Sequence, residues 1–203
     1  MMKLYYAPGV CSLSPHIVLK ESGLPFKTIK TDIKAKTIEG GGDYKTINPL
    51  GYVPALELDD GTVLTEGPAI VQYIADQAPE KKLAPANGTL DRYKVQAWLN
   101  FISTEMHKGF SPLFNPAMPE EAKQIARDRL ATRLAHLESH FGKHNYLMGN
   151  DFSVPDAYCF TVLRWTAPTK IDLKPYPNVQ AFMKCMQERP AVQAAMKDEG
   201  LTG

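Results

Sequence analysis

The sequence has few cysteines, and none of them are paired. Cys11, Cys159 and Cys185 are odd in number and far apart, with no C-x-x-C, which excludes a disulfide framework and a paired-cysteine zinc site. Free thiols in a reducing compartment are expected, with no metal and no prosthetic group. Charge of one sign is also missing. With 23 Lys and Arg against 22 Asp and Glu the formal net charge is +1, and no basic block alternates with aromatics, so nucleic acid is not an expected partner. No apolar run approaches a membrane span, and Met1-Met2-Lys3-Leu4-Tyr5-Tyr6 lacks the long apolar core of a secretory leader. The expected location is the cytoplasm, away from membranes. There is no internal repeat, and the only low-complexity stretch is Gly40-Gly41-Gly42. What the chain does have is length: 203 residues can bury roughly 70% of their unfolded surface without staples.

The most informative stretch is Pro8-Gly9-Val10-Cys11-Ser12-Leu13-Ser14-Pro15-His16, between the apolar run Leu4-Tyr5-Tyr6-Ala7 and the helical pattern Ile17-Val18-Leu19. It reads as strand, tight turn, cysteine, helix. Pro8-Gly9 breaks the strand, and Pro15 fits only a first helical turn, where its missing N–H costs nothing. Cys11 therefore falls at a helix start, where unpaired N–H groups and about half a positive charge favour a thiolate. An end effect of about 1 to 2 kcal/mol lowers a thiol pKa of roughly 8.5 by about 1. The alternative reading of Cys11 is a small buried hydrophobe, as most unpaired cysteines are.

Gly23-Leu24-Pro25 closes the first helix, and residues 26–33 alternate well enough for a second strand, parallel to the first through a right-handed crossover. Residues 53–58 and 62–64 read as a hairpin around Asp60-Gly61, with Pro54 at a strand start or sheet edge. Thr65-Glu66-Gly67-Pro68 opens a helix that stops at Ala78-Pro79. The texture then changes. Residues 81–88 read as a linker rich in charge and turn residues, so the expected division is a first domain over 1–80 and an all-helical second domain over 89–203.

A helix over 93–108 puts Val95, Trp98, Ile102 and Met106 on its apolar face and Asn100, Thr104 and His107 on a polar stripe. Residues 111–119, with three prolines, are expected to be irregular. A long helix over 120–141 buries Ile125, Leu130, Leu134, Leu137 and Phe141. Ser153-Val154-Pro155-Asp156 is a capping box with proline in the first turn, and the nearly all-apolar helix that follows should be central.

A strand-helix-strand unit followed by strand-strand-helix, with cysteine at the first helix and proline opening the third strand, resembles the thioredoxin fold. The implied class is an α/β domain with a mixed four-stranded sheet, followed by an all-α domain. With the helical second half, the chain resembles a glutathione S-transferase over its whole length. The residues that carry the likeness are Cys11-Ser12-Leu13-Ser14-Pro15-His16, Asn48-Pro49-Leu50-Gly51-Tyr52-Val53-Pro54, Thr65-Glu66-Gly67, Trp98-Leu99-Asn100, Glu105-Met106-His107-Lys108 and Ser153-Val154-Pro155-Asp156-Ala157-Tyr158. These are similar to the bacterial beta class, and their order and spacing are more specific than any one of them.

The resemblance implies a glutathione site, and the chemistry of each position agrees. Val53, extended by the following proline, offers its N–H and C=O to the backbone of the ligand's cysteine, across a bond to Pro54 that is cis in the family. Glu66 is implied to hold the ligand's ammonium, the Gly67 amide its γ-glutamyl carboxylate, and Lys36 its glycine carboxylate. Many relatives carry serine where Gly67 stands, so one hydroxyl donor is lost. Asn100, Thr104, Glu105 and His107 match second-domain contributors, with His107 sharing or accepting a thiol proton. Ser12 is a rival donor to the glutathione sulfur, His16 a packing or surface residue, and Tyr5 and Tyr6 structural. Phe110, Phe114 and Trp165 are candidates for an electrophile pocket.

The implied activity is transfer of glutathione, a cosubstrate, to a small apolar electrophile, with thiol-disulfide exchange through Cys11, in a cytoplasmic homodimer. The rival is a non-catalytic protein on this fold, of the transcription-associated stringent starvation type or a hydrophobic-ligand carrier. A scaffold has no use for Cys11, Val53-Pro54, Glu66 and His107 together.

Overall fold

The computed structural model describes residues 1–201. They form two compact units, one of Met1–Ala84 together with the residues from Glu188 on, the other of Pro85–Gln187. The sequence reading assigned everything beyond 88 to the second half. The segment after 187 instead returns to the first unit, because the helix Pro190–Asp198 packs on the first helix of the chain.

The first unit contains β1 (Met2–Tyr6), α1 (Leu13–Ser22), β2 (Phe26–Asp32), β3 (Thr37–Ile38), β4 (Ala55–Glu57), β5 (Val63–Thr65) and α2 (Gly67–Gln77). The sheet has five strands in the order β3-β2-β1-β4-β5, not four. The additional strand is the short β3, which pairs Thr31 with Ile38 and Asp32 with Thr37 and carries too little alternation to be seen in the sequence. β1 and β2 are parallel, with Leu4 opposite Thr28, while β4 is antiparallel to β1 with Leu4 opposite Leu56. α1 meets the left-handed Gly23 at its end (φ 71°), as the Gly-Leu-Pro signal predicts.

In the second unit are α3 (Leu90–Phe101), a π-helical turn over Ile102–His107, α4 (Lys108–Phe114), α5 (Glu120–Phe141), α6 (Val154–Leu163) and α7 (Pro177–Gln187); the remaining helix, α8 (Pro190–Asp198), is the one that joins the first unit. Two expectations change here. Residues 111–114 are helical despite Pro112, which sits near the end of a helix that stops two residues later. The buried face of α5 runs through Ala126, Leu130, Leu134, Leu137 and Phe141, leaving Ile125 55% exposed. In α3 it is Leu99, not Trp98, that is fully buried beside Val95.

α6 is central, since every one of its residues is buried. Its start is fixed by Asp156, whose Oδ2 accepts from the Ser153 N–H (2.8 Å) and the Ser153 hydroxyl (2.9 Å). The other oxygen, Oδ1, accepts from the Leu147 N–H at 2.7 Å. Asp156→Ala leaves two buried N–H groups unsatisfied, and each such loss costs about 1 to 3 kcal/mol. Urea unfolding of this variant should show a loss of about 2 to 4 kcal/mol.

Candidate active site

The expected residues fall in both units. In the first, Cys11 lies in the turn between β1 and α1, half-buried, two residues before α1 begins. Its thiol donates to the Val53 carbonyl at 3.1 Å. Ser12, the expected rival donor, is fully buried and committed elsewhere: its hydroxyl accepts from the Ala7 N–H and donates to the Ala7 carbonyl, both at 3.1 Å. It ties the turn to the end of β1.

The Val53-Pro54 bond is cis. The loop before it is held by the Tyr52 carbonyl, which accepts from the Tyr44 hydroxyl and the Asn48 side-chain amide, each at 2.8 Å. Tyr44, Val53, Tyr5, Ala7 and Ala55 form one buried cluster beneath the cysteine turn. Lys36, in the left-handed region at φ 58°, extends its ammonium to the Gly51 carbonyl at 2.8 Å, 5.6 Å from the Tyr52 ring centroid. It therefore borders the same loop.

β5 pairs with β4 so that Thr65 faces Ala55, which carries Glu66 and Gly67 alongside Pro54. A Cβ at Gly67 would lie 3.9 Å from the Pro54 ring. Glu66 is exposed and holds φ 68°, ψ 114° at the N-cap of α2. A left-handed non-glycine conformation of this kind is costly, and such residues cluster at ligand sites. In the first turn of α2 the Ala69 and Ile70 N–H groups donate to the Glu66 carbonyl, both at 3.0 Å, and Pro68 has no N–H, so the Gly67 N–H is the donor left beside the Glu66 carboxylate.

Tyr5 and Tyr6 are both buried in β1. The Tyr5 hydroxyl donates to Glu57 at 2.6 Å on the sheet, and burial together with this contact pushes its pKa up. Cys159 is 1% exposed and burial raises its pKa well above the ordinary thiol value. A buried neutral thiol is a poor nucleophile.

The first unit also holds a cluster that the sequence reading passed over. His16 is fully buried, with Nδ1 2.9 Å from Glu199 Oε1 and Nε2 3.6 Å from Asp198. The second Glu199 oxygen accepts from the Gly9 N–H at 2.9 Å. Glu199 thus fastens both the turn before Cys11 and the helix after it. A partner 183 residues away leaves no signal at the spacing of local motifs.

In the second unit the polar stripe is rewound by the π turn, where the Lys108 N–H donates to the Ser103 carbonyl five residues back. Such turns are rare and recur at functional sites. Asn100 and Thr104 are exposed, and the Thr104 hydroxyl donates to the Asn100 carbonyl at 2.9 Å. Glu105 accepts from Arg133 Nε and Nη2 through one oxygen at 2.9 and 2.5 Å. His107 Nδ1 is hydrogen-bonded to the Tyr158 hydroxyl at 2.6 Å, and its ring packs edge-on against Trp165 at 4.7 Å. Tyr158 orients this imidazole and was missed as a site residue; its only trace in the sequence is its place in the turn after the capping box.

Phe110 and Phe114 flank Trp165 at 5.9 and 5.8 Å, so the three aromatic candidates do come together. Phe110 is fully buried and backs the indole, while Phe114 is 50% exposed. Among the described residues no group of three His, Cys, Asp or Glu side chains could hold a metal ion.

The chain matches the sequence profiles "Glutathione S-transferase, N-terminal domain" over residues 10–77 and "Glutathione S-transferase, C-terminal domain" over residues 101–190. It is 48% identical to the glutathione S-transferase GstA of Escherichia coli O157:H7, over 98% of this chain and all of that one. It belongs to the glutathione S-transferase family. Two solved structures of the family agree throughout: a sphingomonad glutathione S-transferase complexed with glutathione (47% identity, TM-score 0.95) and the beta-class glutathione S-transferase of Sphingomonas chungbukensis (46%, 0.96). Each alignment covers 98% of this chain and 100% of the other. The beta-class resemblance read from the motifs is thereby supported over the full length.

Burial, with a smaller effect from Lys108, lowers the His107 pKa from 6.5 to about 4. The imidazole is therefore neutral at neutral pH and a weak base, a hydrogen-bonding group more than a proton acceptor. Between pH 6.5 and about 4 the unfolded chain binds a proton at His107 and the folded chain does not. Stability present above pH 6.5 is thus lost as pH falls, by up to about 3 kcal/mol. Denaturant midpoints measured from pH 7 to 4 should show a shallower decline in His107→Gln than in the parent.

Proposed function

We propose that this chain binds glutathione along its first unit and conjugates it through its sulfur to small apolar electrophiles, with thiol-disulfide exchange through Cys11 as a second activity. The observation that carries the reading is the Cys11 thiol at a helix start, 3.1 Å from the carbonyl of Val53, with the left-handed Glu66 and the free end of α2 on the adjacent strand. The sphingomonad relative complexed with glutathione supports the same cosubstrate here.

An S–H donated to a carbonyl stabilises the neutral thiol. When the backbone of the ligand's cysteine takes up the Val53 carbonyl, that stabilisation is removed and the helix start favours the thiolate. Glu66 pairs with the ligand's ammonium, Gly67 N–H with its γ-glutamyl carboxylate, and Lys36 with its glycine carboxylate. Within the second unit, Asn100, Thr104, Glu105 and His107 are the groups the family resemblance assigns to ligand contact, His107 as an uncharged hydrogen-bonding group. Phe114 and Trp165, backed by Phe110, present an apolar surface to the electrophile.

In conjugation, the glutathione thiolate bonds to the electrophilic carbon and expels the leaving group. In exchange, the Cys11 thiolate attacks the glutathione sulfur of a mixed disulfide R–S–S–G, forms its own disulfide with glutathione and releases the R–S⁻ thiolate. A second glutathione thiolate then attacks that sulfur, releasing Cys11 and leaving as glutathione disulfide, since Ser14 stands where a resolving cysteine would. The protein is read as a cytoplasmic homodimer; no described helix is long and apolar enough to cross a membrane.

Cys11→Ala separates the two chemistries. Exchange requires that sulfur as a bonding atom and should vanish. Conjugation with an aryl halide should fall only about 5- to 30-fold, the loss of one contact worth about 1 to 2 kcal/mol. Equal loss of both activities would mean that Cys11 serves one shared step. Glu66→Gln keeps the shape and removes the charge, so calorimetry should show glutathione affinity reduced by about 1.5 to 3 kcal/mol. Thermal stability should hardly change, because Glu66 is exposed.

A further inference from the structure

Three histidines of the second unit take no part in this chemistry. His136, His140 and His144 recur every four residues along α5 and the turn that follows it. The rings of His140 and His144 lie 4.8 Å apart between centroids, tilted by 36°. On its other side His140 meets Trp98 edge-on at 4.8 Å. His136 packs instead against Phe101 and Trp98.

The His140 Nε2 lies 3.1 Å from the Tyr146 carbonyl. A carbonyl only accepts, so Nε2 carries the hydrogen and Nδ1 is left with the lone pair. Anchoring one ring nitrogen on a backbone carbonyl is how metal-binding histidines fix their tautomer and orientation. The carbonyl is itself held in place: Tyr146 is buried and its N–H donates to the Gly149 carbonyl at 2.9 Å. His144 is exposed. Rings at this separation can bring two nitrogens to the roughly 3 Å spacing that bonds of about 2.0 to 2.1 Å to a single ion require.

The nearest carboxylate on the helix, Glu138, is already engaged by the N–H groups of Asn178 and Val179 and by the Asn178 side chain. No third ligand of the His, Cys, Asp or Glu type converges among the described residues. The donor set is thus two neutral imidazoles with water completing the sphere. That suits nickel, copper and zinc and not magnesium or calcium, which demand oxygen.

We propose that His140 and His144 form a two-imidazole chelating site for a borderline divalent transition metal, outside the glutathione chemistry. Nickel chloride titrated into the full-length protein at pH 7.5, followed by calorimetry and tryptophan emission, tests it. The expected result is saturable binding of one nickel per chain, with emission quenched in step because Trp98 packs 4.8 Å from the ring of the liganding His140. His144→Gln, an exposed substitution, should lose at least about tenfold in affinity, since the second ligand no longer binds intramolecularly. His140→Gln should lose as much, and His136→Gln should bind as the parent does. Unchanged nickel affinity in His144→Gln and His140→Gln, the absence of saturable binding, or equal quenching by magnesium would overturn the assignment.

Discussion

The cysteine turn depends on one buried carboxylate. Glu199 spends one oxygen on the Gly9 N–H and the other on His16, so a side chain near the end of the sequence holds the turn before Cys11 and the helix after it. Leaving either group unpaired in the interior costs about 1 to 3 kcal/mol, which makes the C-terminal segment part of the thiol's frame. Two ion pairs in the same unit reinforce the placement, Lys20 with Asp198 at 2.6 Å and Arg189 with Glu21 at 2.7 Å. Leu201 closes over Gly9, 3.4 Å from where a Cβ would stand. At φ 73° that residue is glycine for conformational reasons as well as for space.

The second unit solves a comparable problem with α6. Asp156 fixes where the helix starts, all ten of its residues are buried, and Tyr158 on its first turns meets His107. The π turn widens the opposing helix at Ile102–His107 and so decides which side chains point alike. Burial also keeps His107 uncharged at neutral pH, linking the packing of the unit to its chemistry.

Each unit also sets aside groups that resemble catalysts. The Tyr5 hydroxyl is spent on Glu57, the Ser12 hydroxyl on the Ala7 backbone, and Cys159 is sealed in α6. The thiol of Cys11 donates to the Val53 carbonyl and stays half-buried. Accessibility, more than residue type, separates it from its rivals.

The sequence by itself determined the order of the elements and the place of Cys11, because Pro8-Gly9, Pro15, Gly23 and the Ser153–Asp156 box act within a few residues of themselves. The motifs from Asn48 to Pro54 and from Thr65 to Gly67 were legible for the same reason, and with them the family. Tertiary structure alone decided the rest. The two-residue β3 exists because β2 offers it an edge; the pairing of His16 with Glu199 spans 183 positions. Ala126 instead of Ile125 faces the interior because the packed neighbours of α5 set its rotation. The π turn and the lowered pKa of His107 come from surroundings assembled out of distant segments, and burial of that kind has no local pattern from which to be read.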